Sequence, residues 1–472
     1  MQHREVQLRR YYLIDILMDK IVSLTKRRGF IFPTSDIYGG LANGYDYGPL
    51  GVELLRNIKE LWWKRFIRTR KDMVGLDSQI ILHPKTWEAS GHVGSFADAV
   101  VEDTVTHKRY RADHLVEAWL KGKDEFKNLV VENMKVDELS VFIKKNKLMS
   151  PEGNPVSETK QFDLLMKTHL GSLEGEKDTV YLRGETAQGI FTNFKNVLDS
   201  TRVKLPFGIG QIGKSFRNEI TLGQYIFRTF EFEQGEIEYF FDPEKEDPKE
   251  MLKMWQDAMW KFVVEDLGIN EKNLRWRRHT DAERSHYSKD TYDLDYRFPF
   301  GWKELWGVAY RTDYDLKQQM KYSGTDLQYT DPHTQKKFIP HVIEPAVGIN
   351  RLMFMVLCDA YREEAERVML QINPAIAPYS VAVFPLVSNK PELVSEAEKV
   401  FELLSNHFHT YWDDRGNIGK RYKYQDEAGT PFCVTIDYES LVEHTVTIRD
   451  RDTMKQTRIA STELISHITK NI

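Results

Sequence analysis

Gly208 to Glu219 reads GIGQIGKSFRNE, and the fold turns on how this stretch is read. Its first eight letters satisfy G-x-x-x-x-G-K-[ST], the phosphate loop of many NTPases, and its first six satisfy the dinucleotide pattern G-x-G-x-x-G. Either loop demands a buried strand before the glycines and a helix after them. Upstream, Pro206 in VKLPF would deny a ladder hydrogen bond to a central strand. Downstream, SFRNEITLGQY sets Gly223 among β-branched and aromatic residues, poor material for a helix. Both nucleotide-loop readings fail on context.

A strand, a loop and a returning antiparallel strand explain more: SFRNE, then ITLGQY, then IFRTFEFEQGEIEYFF. Arg217 and Glu219 then share one face of the first strand, and Phe232, Gln234, Glu236 and Glu238 one face of the second. A solvated charged face is the default for one such strand, but an arginine, an aromatic and several acids aimed the same way suit the floor of a polar site. YLRGETAQGIF adds Arg183, Glu185 and Gln188 beside a helix start. EPAVGINRL adds Glu344, Gly348 and Arg351, and an arginine in the apolar first turn of INRLMFMVLCDAY needs an anion. Gly208, Gly210 and Gly213 are expected to let the chain turn and pack closely as it enters the sheet.

A chain of 472 residues is too long for one ordinary core, so two or three domains are expected. Hydrophobic residues at 41% and charged residues at 29% exclude a disordered chain. A net charge of -5 excludes a global basic field, so any nucleic-acid surface must be local. Cys358 and Cys433 cannot supply a cysteine zinc site or a disulfide framework, which favours a reducing, cytosolic setting. No long apolar run predicts a membrane span, and the charged N-terminus predicts no signal peptide. PLGVELLRNIKELWWKRFIR is an amphipathic helix with Pro49 in its first turn. Residues 112–150 read as a charged, helix-prone inserted module and 242–290 as a second insertion. After QINPAIAP the order strand (YSVAVFPLV), helix (PELVSEAEKVFELLSNH), strand (PFCVTIDY), strand (HTVTIRDR) suggests a separate small α/β domain.

FRNE, R-x-x-x-F from Arg228 to Phe232 and G-x-x-R from Gly348 to Arg351 resemble the second and third signature motifs of class II aminoacyl-tRNA synthetases. More closely, SDIYGGLANGYDYGPLGVELLRN, HPKTWEASGHVGSF, RYRADH, RGETAQGIF, GIGQIGKSFRNE, KELWG, RTDYDL and IGKRYKYQDEAGTPFCVT, in this order, resemble the homodimeric glycyl-tRNA synthetases from about Ile21 to about Arg458. The resemblance implies an α+β fold: an antiparallel sheet flanked by helices in a catalytic domain over 1–376, with insertions near 84–160 and 242–290, and an anticodon-binding α/β domain over 377–472. It implies ATP-dependent attachment of glycine to tRNA(Gly) through a glycyl-adenylate, with Mg2+, by a cytoplasmic homodimer that has no membrane partner.

By the same resemblance Arg217, Glu219 and Arg351 are catalytic, and they bind ATP with Asn218, Phe227, Arg228, Phe232, Glu304, Leu305 and Gly348. Arg217 would hold the α-phosphate, Phe232 and Arg351 would sandwich adenine, and Glu304 would also help hold Mg2+. Glycine offers an ammonium and a carboxylate and nothing else. Glu185, Glu233, Gln234, Glu236 and Glu344 are the acid or polar candidates, Arg111 and Arg311 the basic ones, with Phe232, Ala346 and Gly348 as walls. The Pro49 helix falls at the family's dimer interface. The GKRYKY cluster around Lys420 to Tyr424 suits tRNA phosphates and unstacked bases, against the simpler reading of a solvated basic loop.

The chain departs from the family where it has Gly184 for a proline, Phe230 for an arginine, Gly235 for a methionine and Ala346 for a serine. Gly235 is expected to loosen the pocket wall, Ala346 to remove a hydroxyl, and Phe230 to remove a positive charge near ATP. Thr104 and His107 stand where many relatives carry a Cys-x-x-Cys pair, so no zinc is expected. Two alternatives stay open: a non-catalytic, nucleic-acid-binding relative, and a synthetase for another small amino acid such as alanine or serine.

Overall fold

The computed structural model describes residues 16–95, 97–123, 126, 129, 131, 134–171, 178–220, 223–280 and 288–472. The charged N-terminus and parts of the ITLGQY loop and of both expected insertions lie outside these residues.

The glycine-rich stretch is itself strand. Strands β1 (Met73–Gly75), β2 (Phe207–Phe216), β3 (Glu231–Phe241), β4 (Leu274–Arg278), β5 (Asp290–Phe298), β6 (Gly301–Thr312) and β7 (His341–Gly348) form one sheet in the order β4-β5-β6-β7-β3-β2-β1. All neighbours are antiparallel except β2 and β1. The glycines of β2 do not turn the chain; they admit neighbours. A Cβ would stand 2.4 Å from Met73 Sδ at Gly208, 2.3 Å from Ile67 Cδ1 at Gly210 and 2.2 Å from an Arg183 guanidinium nitrogen at Gly213. Lys214 pairs with Glu231 across the ladder, and the Ser215 hydroxyl donates to Gln234 Oε1 at 2.7 Å. Neither serves a phosphate loop.

Helix α1 (Pro49–Trp63) begins at a proline, whose missing N–H costs nothing there. It buries Leu54, Leu55, Ile58 and Trp62 against the sheet and against α5 (Ile349–Ala360). Each such side chain contributes about 1.5–3 kcal/mol of burial. Between them in sequence come α2 (Ala187–Ser200), α3 (Pro248–Lys261) and α4 (Tyr314–Ser323). The described part of the polar stretch 242–290, expected as a second insertion, packs on the main core. α3 buries Trp255 and Met259 in the main core, and β4 is the sheet's edge strand. The insertion near 84–160 has a core of its own, built on Val101, Val116, Leu139 and Ile143. Beside Thr104 and His107, the Asp103 carboxylate accepts from Val105 N and Thr106 N at 2.8 Å, Ser150 Oγ at 2.6 Å and Asn154 Nδ2 at 3.0 Å.

The C-terminal part is a mixed sheet of β8 (Val381–Pro385), β9 (Thr410–Trp412), β10 (Phe432–Ile436), β11 (Thr445–Asp450) and β12 (Gln456–Ala460), ordered β9-β8-β10-β11-β12. Helices α6 (Pro391–Ser405) and α7 (Ile418–Ala428) accompany it. Buried Asp426 on α7 binds Arg367 at 3.1 Å and Arg449 at 2.7 Å, fixing this sheet to the chain that leads into it. Cys358 and Cys433 are both unpaired. No described helix is long and apolar enough to cross a membrane.

Candidate active site

The sheet presents one polar face to a cavity of about 330 Å3, within the usual range for small-molecule sites. Strand alternation supplies its floor. Phe232, Gln234 and Glu236 project from β3, and Glu344, Ala346 and Gly348 from β7, where Glu236 pairs with Ala346 in register. Glu185, from the segment leading into α2, closes the floor. The N-terminus of α2 then holds Glu236: its Oε2 accepts from Thr186 N at 2.9 Å and from the Thr186 hydroxyl. Gln188 donates to Glu185 Oε1 and Asp315 Oδ1, both at 3.1 Å.

The acids are electrostatically divided. Burial opposes ionisation of Glu185, yet His92, 3.4 Å away, and Arg311 hold it well below the usual carboxylate range. Burial and the Glu185 charge push Glu236 up. Burial likewise pushes Glu344 up to about 8 against the opposing pull of Arg311.

The rim is basic and aromatic. Arg217, just past the end of β2, donates from Nε to Gly184 O at 3.0 Å, and its Cζ lies 5.4 Å from the Phe232 ring centre. Arg351, in the first turn of α5, does have its anion: Glu304 Oε1 at 3.2 Å, with the guanidinium 4.5 Å over Phe227. Arg228 Nε approaches Glu219 Oε2 at 3.8 Å. Arg217, Glu219, Phe227, Arg228, Phe232, Glu304 and Arg351 all line the cavity.

Five of the expected residues are not brought there. Glu233 points to the opposite face of β3, paired with Lys59 of α1 at 2.9 Å. Leu305 is buried in the apolar core, since its neighbour Glu304 takes the cavity side. Asn218 donates to Asp163 O at 3.3 Å, toward the insertion. Arg111 is held by Asp113 at 2.5 Å and Asp98 at 3.3 Å within the insertion. Arg311, 1% exposed, lies beneath the floor: Nε and Nη2 fork onto Asp315 at 2.8 Å, and Nη1 reaches Glu344 at 2.8 Å. In the C-terminal GKRYKY cluster, Arg421 is likewise buried and donates to the Pro385, Asp414, Arg415 and Gly416 carbonyls, so only Lys420 and Lys423 present charge to solvent.

Gly235 does not loosen the pocket. Its Cβ position faces Trp62 Cε2 at 3.1 Å and Ile349 Cδ1 at 3.2 Å, on the side away from the cavity. The indole of α1 occupies the room a larger residue would take. Gly235→Ala is therefore expected to cost about 1–3 kcal/mol by overpacking, read from the denaturation midpoint, and to leave the cavity lining in place. His279 and Asn350 line the cavity and had no motif to announce them; His279 Nε2 lies 2.8 Å from Asp293 Oδ2.

The comparisons with known proteins agree with this geometry. The model of the tRNA synthetase class II core domain (G, H, P, S and T) matches residues 171–360, and that of the anticodon binding domain matches 380–471. A glycine–tRNA ligase of Caldanaerobacter subterraneus subsp. tengcongensis is 51% identical over 452 residues, 94% of this chain and 96% of its own. The chain belongs to the glycine–tRNA ligases. Another glycine–tRNA ligase, from Staphylococcus epidermidis, is 48% identical over 96% of this chain and 99% of its own. The solved prolyl-tRNA synthetase of Cryptosporidium parvum, complexed with halofuginone and AMPPNP, shares the fold alone: TM-score 0.63 at 14% identity, over 95% of this chain and 76% of that one. Class II synthetases use ATP and Mg2+ generally.

Proposed function

We propose that this cavity joins glycine to ATP as glycyl-adenylate and then passes the glycyl group to tRNA(Gly). The observation that carries the reading is the pairing of an acid floor with an arginine and aromatic rim in one small cavity. Glu185, Glu236 and Glu344 suit an ammonium, with Gln234 beside them; Arg217 suits a phosphate, and Phe232 and Arg351 suit the faces of a purine. The glycine carboxylate attacks the α-phosphate in line and pyrophosphate leaves. A ribose hydroxyl of the tRNA end then attacks the carbonyl and AMP leaves. Carboxylate attack needs no general base, so the site's task is positioning and charge stabilisation.

Arg351 over the adenine and Arg217 on the α-phosphate do this work, and Glu219 sits where it meets the adenine side. Because Arg311 is spent on Asp315 and Glu344, its role is to hold Glu344 in place rather than to grip the glycine carboxylate. The half-exposed Glu304 carboxylate fits a hard cation, so Glu304 would hold Mg2+, which when bound offsets phosphate charge. Catalytic residues fall within 1–376 and anticodon contacts within 377–472, and the unpaired cysteines fit the reducing cytoplasm.

ATP–pyrophosphate exchange with each amino acid offered alone tests the reading. Exchange with glycine only is expected; none with any would leave the non-catalytic alternative, and alanine above glycine would reassign the substrate. The homodimer has separate support: Ile37 and Tyr38 are 88% and 87% exposed beside Leu41 at 61%, an apolar projection near α1 that a second copy would cover. Leu41→Asp is expected to halve the sedimenting mass, and an unchanged mass would place the interface elsewhere.

A further inference from the structure

Glu238 follows Glu236 by one alternation on β3 and lies beneath the cavity floor, fully buried. Neither of its carboxylate oxygens has a hydrogen-bond partner. An ionised carboxylate fully buried without a protein partner is costly, so this group is a neutral acid. One oxygen each of Glu236, Glu238 and Glu344 lie within 4.8 Å of one another. The charged groups facing this trio are Arg311 from β6, Asp315 from α4, Glu185 from the head of α2 and Arg217 from the end of β2. Arg311 is shared between Asp315 and Glu344, so the floor carries more acid than cation.

We propose that Glu238 and Glu344 both hold protons in the ligand-free enzyme, and that the glycine ammonium expels the Glu344 proton to solvent while Glu238 keeps its own. The proposal rests on glycine binding at this floor. No bond of glycine breaks. The Glu344 O–H loses its proton to the buffer, and an ammonium N–H donates to the carboxylate left behind. Glu238 is a positioning residue: as a neutral donor below Glu344 it favours the ionised partner without adding a third negative charge. Burial pushes both acids in this direction, Glu344 to about 8 and Glu238 well above its usual range. The sign follows. With Glu344 protonated below about pH 8 in the free enzyme and ionised in the complex, glycine binding releases a proton at pH 7. The KM for glycine then falls up to tenfold per pH unit as pH rises toward 8, and levels above it.

Calorimetric titration of the full-length enzyme with a sulfamoyl analogue of glycyl-adenylate, at pH 7 in two buffers of different ionisation enthalpy, counts the protons. About one released proton is expected. Binding with no release overturns the proposal and leaves the glycine reading intact, whereas no binding at all removes the glycine reading itself. Glu238→Gln, neutral and still a donor, is expected to keep the KM for glycine within threefold with its pH profile unmoved. Glu238→Leu, which cannot donate, is expected to raise that KM about tenfold at pH 7 and shift the profile alkaline, at unchanged kcat. A tenfold loss in the glutamine variant, or a leucine variant that behaves as the wild type, overturns the role of Glu238.

Discussion

Arg217→Gln is expected to lower kcat/KM for glycine-dependent ATP–pyrophosphate exchange by about 10^2–10^3-fold, the usual cost of losing one preorganised charge on a transition state. The side chain is half-buried on the cavity wall, where Nε donates to Gly184 O while the guanidinium lies over Phe232. That backbone anchor fixes the stem and leaves the fork aimed along the ring face, where a nucleotide bound on Phe232 would place its phosphate. Arg217 stands on the cavity wall and not in the apolar core, so the first thermal transition should move by less than about 2 °C, within the usual range of a substitution outside the core. Arg217→Lys should recover little, because an ammonium cannot repeat a planar bidentate grip. A loss smaller than tenfold would move the α-phosphate contact to Arg228, a second arginine on this rim.

What the sequence made legible here was local and periodic. The period-2 pattern of β3 correctly put Phe232, Gln234 and Glu236 on one face, because alternation follows from backbone geometry alone. The same parity places Glu233 and Leu305 on the far side of their strands, and the resemblance had carried them into the site only as neighbours of true lining residues. The helix at Pro49 and the buried helix at Ile349 were announced by capping and apolar pattern. Contacts across long separations were not legible. Nothing in RTDYDL tells that the arginine turns inward onto an aspartate four residues on, and nothing near Gly235 tells that Trp62 already fills its space. At the start of β2 the close packing expected of the glycines is present and the turn is not: within the strand they are clearance for Met73, Ile67 and Arg183.

Arg311→Met separates the two readings of that arginine. If its work is to bind Asp315 and Glu344, removal leaves the Asp315 carboxylate buried without its cation and Glu344 without its donor, which costs about 3–5 kcal/mol. The first thermal transition should fall by roughly 5–15 °C at pH 7.5, by the usual conversion for a domain of this size. Glu344 supplies a pH signature. Its folded value lies above the ordinary carboxylate range, so the unfolded chain binds fewer protons and stability declines as pH rises from about 4.3 toward about 8. Deleting the opposing cation raises that folded value further, so the variant keeps losing stability above pH 8, where the wild type levels off, and its deficit should widen between pH 7.5 and pH 9. Arg311→Lys should not rescue it, since one ammonium cannot fork onto Asp315 and reach Glu344 together. Glycine KM should rise in both variants because Glu344 loses its tether. A variant with wild-type stability at both pH values but a raised KM would instead return Arg311 to the glycine carboxylate, and the buried network would have to be reassigned as a resting state that substrate opens.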